Sequence, residues 1–379
     1  MNKTFTPVFL GSGRCFHTMD WFRSCCELVD TPPVFITDNY GREGFVPLLQ
    51  PMDNIYELFI IDSFLFERAS ILGHLWRNFL KLLLIPLQII KLRRALQELP
   101  EPFIFAHSTY YAFLASFCNV RYSTTPQGSE VLVRPLRSRF YKAFLLRSVR
   151  HASFVTVDSV AMASALKRLA NISAEIIQNG IDVSKILSVP ANSNSNRTLT
   201  TSIRGFDKNY RIVDILIERN IFAPHVDLNF CFPFMEEKYY KDILKLIGCS
   251  DLLHGRLSRD QMYEILRKSS CVISIPHSDS SPRSVYEAIF CGASVICVHA
   301  SYVDNLPSCM RQRIVVIDLS DPLWFCAALS RARELSSKPF VPSSEALELF
   351  DQLSSMRKCL KLAALASRMD FIDFGMNNA

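Results

Sequence analysis

The sequence predicts an α/β protein with two domains, each built on a parallel β-sheet. At 379 residues the chain is longer than one hydrophobic core usually supports. Short β-branched runs alternate with helical segments in both halves, which is typical of parallel sheets covered by helices. The small polar stretch 191–196 lies between the halves and predicts a linker at 189–197. The domains are expected at 1–188 and 198–345, and helices in 346–379 are candidates to pack back on the first domain.

The composition is that of a globular protein, with 49% hydrophobic and 21% charged residues. Twelve cysteines occur without a C-x-x-C pair or a Cys/His cluster at zinc spacing. Because many of them, such as Cys271, lie in apolar runs, free thiols in a reducing cytosol are expected rather than disulfides. The N-terminal residues enter a strand directly and show no secretory signal, so we expect a cytoplasmic protein.

Positive charge is concentrated in residues 68–150, which contain thirteen Lys or Arg against three Glu, a local surplus of ten. This charge fits a solvated basic face. It also fits contact with an anionic partner such as a lipid or a nucleic acid. Within this region, 75–99 is apolar but too interrupted by charges to span a bilayer. Pro86 should kink the segment or divide it into two helices. The segment is either a core-packed helix or a peripheral anchor at the inner face of the cytoplasmic membrane.

The first half places a glycine turn and a histidine at strand ends. Residues 8–10 form a predicted strand that leads to Gly11 and Gly13. Without a third glycine at the right spacing, this pair does not support a dinucleotide-binding fingerprint. The strand 103–106 ends at His107, and a histidine at the carboxyl end of a strand faces the ligand-binding edge of an open α/β sheet. A hydrogen-bonded histidine without a role is the alternative.

The second half is organised around 274–297, which we interpret as strand, loop, helix and strand. Pro276 ends the first strand because it lacks the N–H group that a central strand needs. Ser281 is expected as the N-cap of the helix and Pro282 as its first residue. Gly292 should end the helix.

This βαβ unit predicts an anion site, because the free N–H groups and the positive dipole end of the helix lie at the carboxyl edge of the sheet. Asp279 lies in the preceding loop, and Glu287 lies about two turns into the helix. This pair of carboxylates makes the unit a candidate site for a sugar nucleotide.

Four segments resemble motifs of retaining glycosyltransferases of the GT-B fold, specifically glycosyltransferase family 4. They are Thr125-Pro-Gln-Gly-Ser-Glu130, Ile177-Gln-Asn-Gly-Ile-Asp182, His254-Gly-Arg-Leu-Ser-Arg-Asp-Gln-Met-Tyr263 and the acidic pair Asp279 and Glu287. The pair occupies the place of two family glutamates, and Glu130 stands where Asp is more frequent. The resemblance covers most of residues 100–300. It implies two Rossmann-like domains whose parallel sheets face an interdomain cleft.

The resemblance implies a donor site in the second domain. Glu287 would bind the ribose hydroxyls, because a carboxylate can accept two hydrogen bonds from vicinal hydroxyls. Asp279 would face the donor sugar. Backbone N–H groups around Arg283 and Ser284 would hold the diphosphate, with Ser281 also at the donor.

The catalytic candidates implied by the resemblance are His107, Asp279, Arg204 and Lys208. Arg204 matches the family's diphosphate-binding arginine, and either Lys208 or Tyr210 takes the place of its usual lysine partner. His107 resembles the histidine that reaches the transferred sugar.

Residues of the first domain are expected at the phosphates, the acceptor and the membrane. Gly11 and Gly13 resemble a loop that approaches the phosphates or the acceptor. The residues expected on the acceptor or membrane side are Arg14, His17, Lys91, Arg93 and Arg94.

The implied reaction is hexosyl transfer from a nucleoside diphosphate sugar, with retention at the anomeric carbon, to a polysaccharide or lipid-linked glycan. No metal or other cofactor is expected, in agreement with the absence of a D-x-D triplet from the sequence. We expect an anionic membrane surface as a partner and no nucleic acid. A non-catalytic homologue acting as a scaffold or partner subunit, and a nucleotide-sugar epimerase, are the alternatives.

Overall fold

A computed structural model describes residues 5–13, 15–37, 53–58, 71–188 and 197–367. The chain divides into two compact units. Unit 1 contains residues 1–179 and 352–379, and unit 2 contains residues 180–351. Each unit has its own parallel β-sheet, as the alternation of strands and helices predicts.

Unit 1 is built on a seven-stranded sheet. Its strands are β1 (Thr6–Leu10), β2 (Val34–Thr37), β3 (Asn54–Glu57), β4 (Pro102–His107), β5 (Tyr122–Thr125), β6 (Phe154–Val157) and β7 (Glu175–Ile176). They are parallel in the order β3-β2-β1-β4-β5-β6-β7. In the central strand, Val8 pairs with Val34 on one side and Ile104 on the other. All five residues of β1 are buried, because helices cover both faces of such a sheet.

Some helices of unit 1 begin at a residue whose side chain caps the first turn. They are α1 (Phe16–Leu28), α2 (Ile71–Gln97), α3 (Thr109–Ala115), α4 (Gly128–Leu132), α5 (Arg134–Arg137), α6 (Arg139–Arg150) and α7 (Val160–Ala170). Helix α7 starts where the Ser159 side chain accepts a hydrogen bond from the Met162 N–H group.

Helix α2 is continuous and contains Pro86, so the interpretation as two separate helices is wrong. Beyond Pro86, Leu92 and Leu96 are buried in the unit 1 core, and this packing continues the helix past the proline. No helix within the described ranges is both long and apolar enough to cross a bilayer.

Unit 2 is built on a six-stranded parallel sheet. Its strands are β8 (Leu199–Ser202), β9 (Leu228–Cys231), β10 (Leu252–Gly255), β11 (Ser269–Ser274), β12 (Ser294–Val298) and β13 (Ile314–Ile317), in the order β10-β9-β8-β11-β12-β13. Its helices are α8 (Val183–Ser188), α9 (Ile212–Phe222), α10 (Glu237–Leu244), α11 (Arg259–Lys268), α12 (Arg283–Phe290), α13 (Ser301–Asp304), α14 (Ser308–Arg311), α15 (Trp324–Ser336) and α16 (Ser344–Phe350).

The two units divide between Asn179 and Gly180, ahead of the predicted linker 189–197, of which the structure describes only the last residue. Ile177 packs in a core of unit 1, and Ile181 packs in a core of unit 2. The chain therefore changes units within four residues.

A final helix, α17 (Gln352–Ser367), returns the chain to unit 1. It buries Met356, Cys359 and Leu360 in the same core as Trp21 and Phe22 of α1. Helix α16 remains with unit 2, so the chain returns at residue 352 and not at the predicted 346.

Candidate functional site

The candidate donor site lies where β8 and β11 end, at the carboxyl edge of the unit 2 sheet. These neighbouring parallel strands deliver Arg204 and Ser274 to the same edge. Arg204 is only 8% exposed. Its Nε donates to Ser274 Oγ at 2.8 Å, and its guanidinium lies over the Tyr210 ring, 5.2 Å from the ring centroid. Packing and hydrogen bonding thus fix the orientation of Arg204.

Arg204 also forms an ion pair with the loop acid of the motif. Its Nη1 lies 3.1 Å from Asp279 Oδ2. The structure therefore brings together two predicted site residues. The resemblance implies that Arg204 binds the diphosphate and that Asp279 faces the sugar. Each side chain carries the counter-charge of the other.

The helix that follows this loop starts one residue later than expected. Its N-cap is Pro282, without a side-chain cap, so the expectation of Ser281 as N-cap and Pro282 as first helical residue is wrong. The Ser281 N–H group instead donates to Asp279 Oδ1 at 3.4 Å, and its hydroxyl lies 3.1 Å from the Tyr286 hydroxyl. No described side chain caps the N-terminus of α12, where the dipole favours an anion.

Helix α12 ends as predicted, in a Schellman motif at Gly292. The Gly292 N–H group donates to Ile289, and the Ala293 N–H group donates to Ala288. Gly292 has a φ angle of 89°, which favours glycine. The short helix is thus defined at both ends and holds Glu287 in its second turn.

Glu287 is a buried carboxylate, 5% exposed, and one of its oxygens is held in place. Tyr263 donates to Oε1 at 3.2 Å, and Arg283 Nε lies 3.5 Å from the same oxygen. Burial raises the pKa of Tyr263, and the charge of Glu287 raises it further, so the phenol remains a donor. Across the described residues, no hydrogen bond to Glu287 Oε2 is present. This oxygen suits the hydroxyls of a ribose.

Sequence reasoning missed Arg211, which is a second cation at this edge. It is the N-cap of α9 and has a φ angle of 50°, in the left-handed region. Its Nη2 lies 2.8 Å from His277 Nδ1, in the loop after β11. A cation at the positive end of a helix dipole is unfavourable unless an anion binds there. The arginine directly before the predicted helix at 212 was therefore the feature of the sequence that could have indicated this second cation.

The structure separates the two candidates for the second diphosphate position. Both lie in a short 3₁₀ helix, Lys208–Tyr210. Tyr210 is partly buried against the Arg204 guanidinium. Lys208 is exposed, and its charge contributes to lowering the pKa of Asp242 on α10. Among the contacts of the described residues, none joins Lys208 to Arg204. Its diphosphate role stays a prediction.

Three buried donors around the loop and the start of α12 have no partner among the described residues. They are Arg204 Nη2, Arg211 Nε and Ser284 Oγ. Buried polar groups in proteins are nearly always hydrogen-bonded, so these donors are available to a ligand, an ion or water. Two of these donors are cationic, which favours an anion.

In unit 1, the predicted site histidine is buried at the end of β4. His107 is 6% exposed and is followed by Ser108, whose φ of 82° and ψ of 154° belong to a region almost restricted to glycine. The neighbouring turn is held by Glu130, whose Oε2 accepts from the N–H groups of Thr109 and Gln127, each at 2.9 Å. Glu130 thus acts as a buried structural carboxylate that stabilises a strained turn beside His107.

The glycine turn after β1 lies against this histidine. A Cβ atom on Gly11 would come within 2.6 Å of Thr18 and 3.4 Å of His107, so the close approach requires glycine. The Gly13 N–H group donates to Thr37 Oγ1 at 3.1 Å. The ring centroids of His17 and His107 are 6.4 Å apart. Arg14 lies outside the described residues.

The remaining predicted residues lie on α2. Lys91, Arg93 and Arg94 are all exposed, and Arg93 Nε donates to the Phe117 carbonyl oxygen at 3.0 Å. The same helix exposes an apolar stripe at helical spacing. The α2 stripe consists of Phe79, Leu82, Leu83, Leu87 and Ile90.

In the part of the chain that the structure describes, no group of three or more His, Cys, Asp or Glu side chains is placed to hold a metal ion. The charged groups at the donor-site edge are instead arginines and single carboxylates.

No family model matches this sequence, and no curated protein matches it by sequence. Solved structures do resemble the fold. HepE from Anabaena, solved with UDP and glucose, matches with a TM-score of 0.70 at 14% identity, over 96% of this chain and 100% of that one. Sucrose-phosphate synthase from Thermosynechococcus elongatus matches with a TM-score of 0.70 at 12% identity, over 95% and 98%.

A trehalose-phosphate synthase (UDP-forming) from Burkholderia vietnamiensis matches with a TM-score of 0.66 at 11% identity, over 97% of this chain and 100% of that one. At these identities the likeness shows the fold. The predicted GT-B fold class, with two Rossmann-like units on parallel sheets, is confirmed.

Proposed function

We propose that this chain is a retaining glycosyltransferase that moves a sugar from a nucleoside diphosphate sugar to a polysaccharide or lipid-linked glycan. The observation that carries this proposal is the set of three unpartnered buried donors around the start of α12. A diphosphate would satisfy the two arginines and the serine, and a ribose would satisfy Glu287 Oε2. The fold shared with HepE, which was solved with UDP and glucose, supports the same donor class.

The residues at the carboxyl edge of unit 2 suit the departure of a diphosphate. As the bond from the anomeric carbon to the phosphate oxygen breaks, negative charge develops on the diphosphate. Arg204, Arg211 and the N-terminal N–H groups of α12 would stabilise that charge. Because these groups supply the positive charge, we propose that the reaction needs no metal.

Asp279 is proposed to pair first with Arg204 and then with the donor sugar. In the structure Asp279 pairs with Arg204. A bound diphosphate would compete for the same guanidinium and release the Asp279 carboxylate for the hydroxyls of the sugar. The acid is therefore proposed to bind the donor only after the diphosphate is in place.

Retention is proposed to follow front-face attack assisted by the leaving phosphate, and no residue is assigned as a covalent nucleophile. His107 is proposed to donate a hydrogen bond to the transferred sugar. Neighbouring charges raise its pKa, although burial alone would lower it, and a protonated imidazole is a donor at both nitrogens. The hydrogen bonds of Glu130 keep the turn at Ser108 in position.

The proposal is tested by incubating the purified chain with UDP-, GDP- and dTDP-sugars in EDTA, with and without a lipid-linked acceptor. Release of nucleoside diphosphate with acceptor, and a product that keeps the donor's anomeric configuration by NMR, are expected. Neither binding nor release with any donor would overturn the proposal in favour of a scaffold. Conversion of the donor sugar without an acceptor would indicate an epimerase.

We also propose that α2 attaches the chain to an anionic membrane surface, where a lipid-linked acceptor lies. The α2 stripe presents five apolar side chains to solvent, with Leu83 63% exposed. Lys91 and Arg94 are exposed on the following turns. An apolar stripe next to basic residues suits the boundary between acyl chains and anionic headgroups.

Replacing Leu83 and Leu87 by serine is expected to weaken binding to anionic vesicles by about 3 kcal/mol, or roughly a hundredfold. Lys91→Glu with Arg94→Glu should cost about 1 kcal/mol per basic charge removed. Arg93 is left unchanged because it bonds to Phe117. Sedimentation with vesicles measures both effects.

The matched control is Leu365→Ser on α17, which removes a leucine that is 74% exposed outside the α2 stripe. This variant should sediment like the wild type. If the control weakens binding as much as the α2 variants do, or if the α2 variants bind normally, α2 is not the membrane contact.

A further inference from the structure

The α5–α6 corner, residues 134–142, presents apolar side chains to solvent and has no assigned role. Leu136 on α5 is 76% exposed, and Phe140 on α6 is 68% exposed. Only Ser138 separates the two helices, and its hydroxyl caps α6 by accepting from the Tyr141 N–H group at 3.2 Å. The capped turn therefore holds both apolar side chains away from the core of unit 1.

The α5–α6 corner is also strongly basic, with four Lys or Arg and no Asp or Glu. Arg134 lies 3.8 Å from Glu130 and over the Tyr141 ring. Among the described contacts, none pairs a carboxylate with the other three cations, which are all exposed. They are Arg137, Arg139 and Lys142. Three exposed positive charges without a described counter-ion thus lie beside two exposed apolar side chains.

The corner lies at the carboxyl edge of the unit 1 sheet. Helix α4 follows directly after β5 ends at Thr125, and α5 follows α4. Glu130 of α4 connects the corner to the turn beside His107. One carboxylate oxygen faces Arg134, and the other accepts from the Thr109 N–H group at 2.9 Å. The corner is therefore on the same edge of the sheet as the predicted site histidine.

Helix α3 lies between α2 and α6 and contacts both. The Tyr110 hydroxyl of α3 donates to Gln88 of α2. The rings of Phe113 on α3 and Phe144 on α6 are stacked, with their centroids 3.9 Å apart. The exposed sides of α2 and α6 therefore belong to one helical layer. One lipid surface can meet the α2 stripe and the α5–α6 corner together.

The combination of charge and apolar surface favours an anionic lipid over other partners. A second copy of this chain would bring the cations of the corner against the same cations in a two-fold interface. Single-stranded nucleic acid would pair its phosphates with the cations and stack on Phe140, but it offers no apolar surroundings to Leu136. A membrane of anionic lipids offers phosphates to the cations and acyl chains to both apolar side chains.

We propose that the α5–α6 corner inserts Leu136 and Phe140 into the acyl boundary of an anionic membrane, with the three exposed cations at the headgroups. This contact is separate from the α2 stripe. It deepens the proposed membrane attachment, because it specifies which edge of unit 1 faces the lipid. The edge that carries His107 is then next to the bilayer, where the head of a lipid-linked acceptor lies. This last consequence rests on the proposed function.

Insertion is tested on the full chain with Phe140→Trp, which places an indole at the exposed position. With vesicles of phosphatidylglycerol and phosphatidylcholine in equal parts, its emission should shift to the blue and be quenched by lipids brominated in their acyl chains. Emission of the wild type, which has three tryptophans, is subtracted. Val341→Trp, at an exposed position of unit 2, is the matched control and should show neither change. An indole at position 140 that is neither shifted nor quenched overturns the proposal.

The apolar contribution is measured by sedimentation with the same vesicles. Leu136→Ser with Phe140→Ser should weaken binding by about tenfold to a hundredfold for each side chain removed. Both side chains are exposed, so the variant should melt at the temperature of the wild type. Binding equal to that of the wild type overturns the corner as a lipid contact.

The charge contribution is measured with Arg137→Gln and Arg139→Gln. Each should weaken binding to the anionic vesicles by about fivefold and have no effect with vesicles of phosphatidylcholine alone. Arg134 and Ser138 are left unchanged, because they hold the turn. Equal losses with both kinds of vesicle would overturn the headgroup contact.

The alternatives give different results in the same variants. If the corner variants lose binding to a single-stranded RNA oligonucleotide and keep binding to vesicles, the partner is a nucleic acid and the proposal is overturned. If the α2 variants bind vesicles normally while the corner variants do not, the corner stands and α2 fails. Absence of nucleoside diphosphate release would overturn the proposed function, and the vesicle measurements would still decide the corner.

Discussion

Glu287→Ala is expected to lower kcat/KM for the nucleotide sugar by roughly 10²–10⁴-fold. The variant removes a carboxylate proposed to accept hydrogen bonds from two ribose hydroxyls, and such bonds to a charged group contribute about 1.5–3 kcal/mol each. Because the ribose contact is the same in the ground state and the transition state, most of the loss should fall on KM. Initial rates at varied donor concentration measure the division between KM and kcat.

The buried position of Glu287 adds a cost in stability that must be separated from the cost in binding. Alanine leaves the Tyr263 hydroxyl without its acceptor, and a buried unpaired donor costs about 1–3 kcal/mol of unfolding free energy. Glu287→Gln keeps an oxygen for Tyr263 but loses the charge. It should fold normally and lose about tenfold in kcat/KM.

Tyr263→Phe is the matched control for Glu287. It removes the hydroxyl that positions Oε1 and keeps the carboxylate. A loss well below that of Glu287→Ala is expected, because Arg283 still contacts the same oxygen. If Glu287→Ala binds donor as tightly as the wild type, the ribose role is wrong.

The fold was predictable because its signals are local. The β-branched run before Pro276 is β11, and the glycine expected to end the next helix adopts the left-handed conformation at Gly292. The same local reasoning misplaced Ser281, because its N–H group bonds to Asp279 and its hydroxyl lies against Tyr286. Local hydrogen bonds of the loop and the first turn of α12 thus replaced the cap that the sequence favoured.

The candidate donor site was predictable only at residues that have the same spacing as a family motif. Glu287 lies in the short helix that Gly292 ends as predicted, so its position follows from the sequence. The 3₁₀ helix between Arg204 and Arg211 directs Lys208 to solvent and Tyr210 to the Arg204 guanidinium. Spacing alone therefore led to Lys208 and Tyr210 as candidates for the second diphosphate position and did not include Arg211.

Pairings between distant residues were beyond the sequence. The sequence around Arg204 and the sequence around Asp279 do not indicate that the two form an ion pair. Arg204 lies in the loop after β8, and Asp279 lies in the loop after β11. Likewise, Gly11 and His107 are brought together only because β1 and β4 are neighbours in the sheet. Such contacts follow from strand order, which one sequence does not specify.

Arg204→Ala is expected to lower kcat by roughly 10²–10³-fold. Loss of one preorganised donor to a developing oxyanion has an effect of that size, and here a whole cation is removed. Arg204→Lys should recover only part of the rate, because lysine keeps the charge but cannot bond to Ser274 and the diphosphate through a planar fork. Single-turnover rates at saturating donor measure the chemical step.

Arg211→Ala is expected to lower kcat by at least about tenfold, whereas Lys208→Ala should remain within about twofold of the wild type. His277→Ala removes the contact to Arg211 and keeps the cation, so a purely structural role for Arg211 predicts equal losses in both variants. Calorimetry with nucleoside diphosphate and monophosphate adds a second criterion. Because the arginines are proposed to bind the diphosphate, both Arg variants should weaken diphosphate binding more than monophosphate binding. A larger loss from Lys208→Ala than from Arg211→Ala would instead make Lys208 the partner of Arg204.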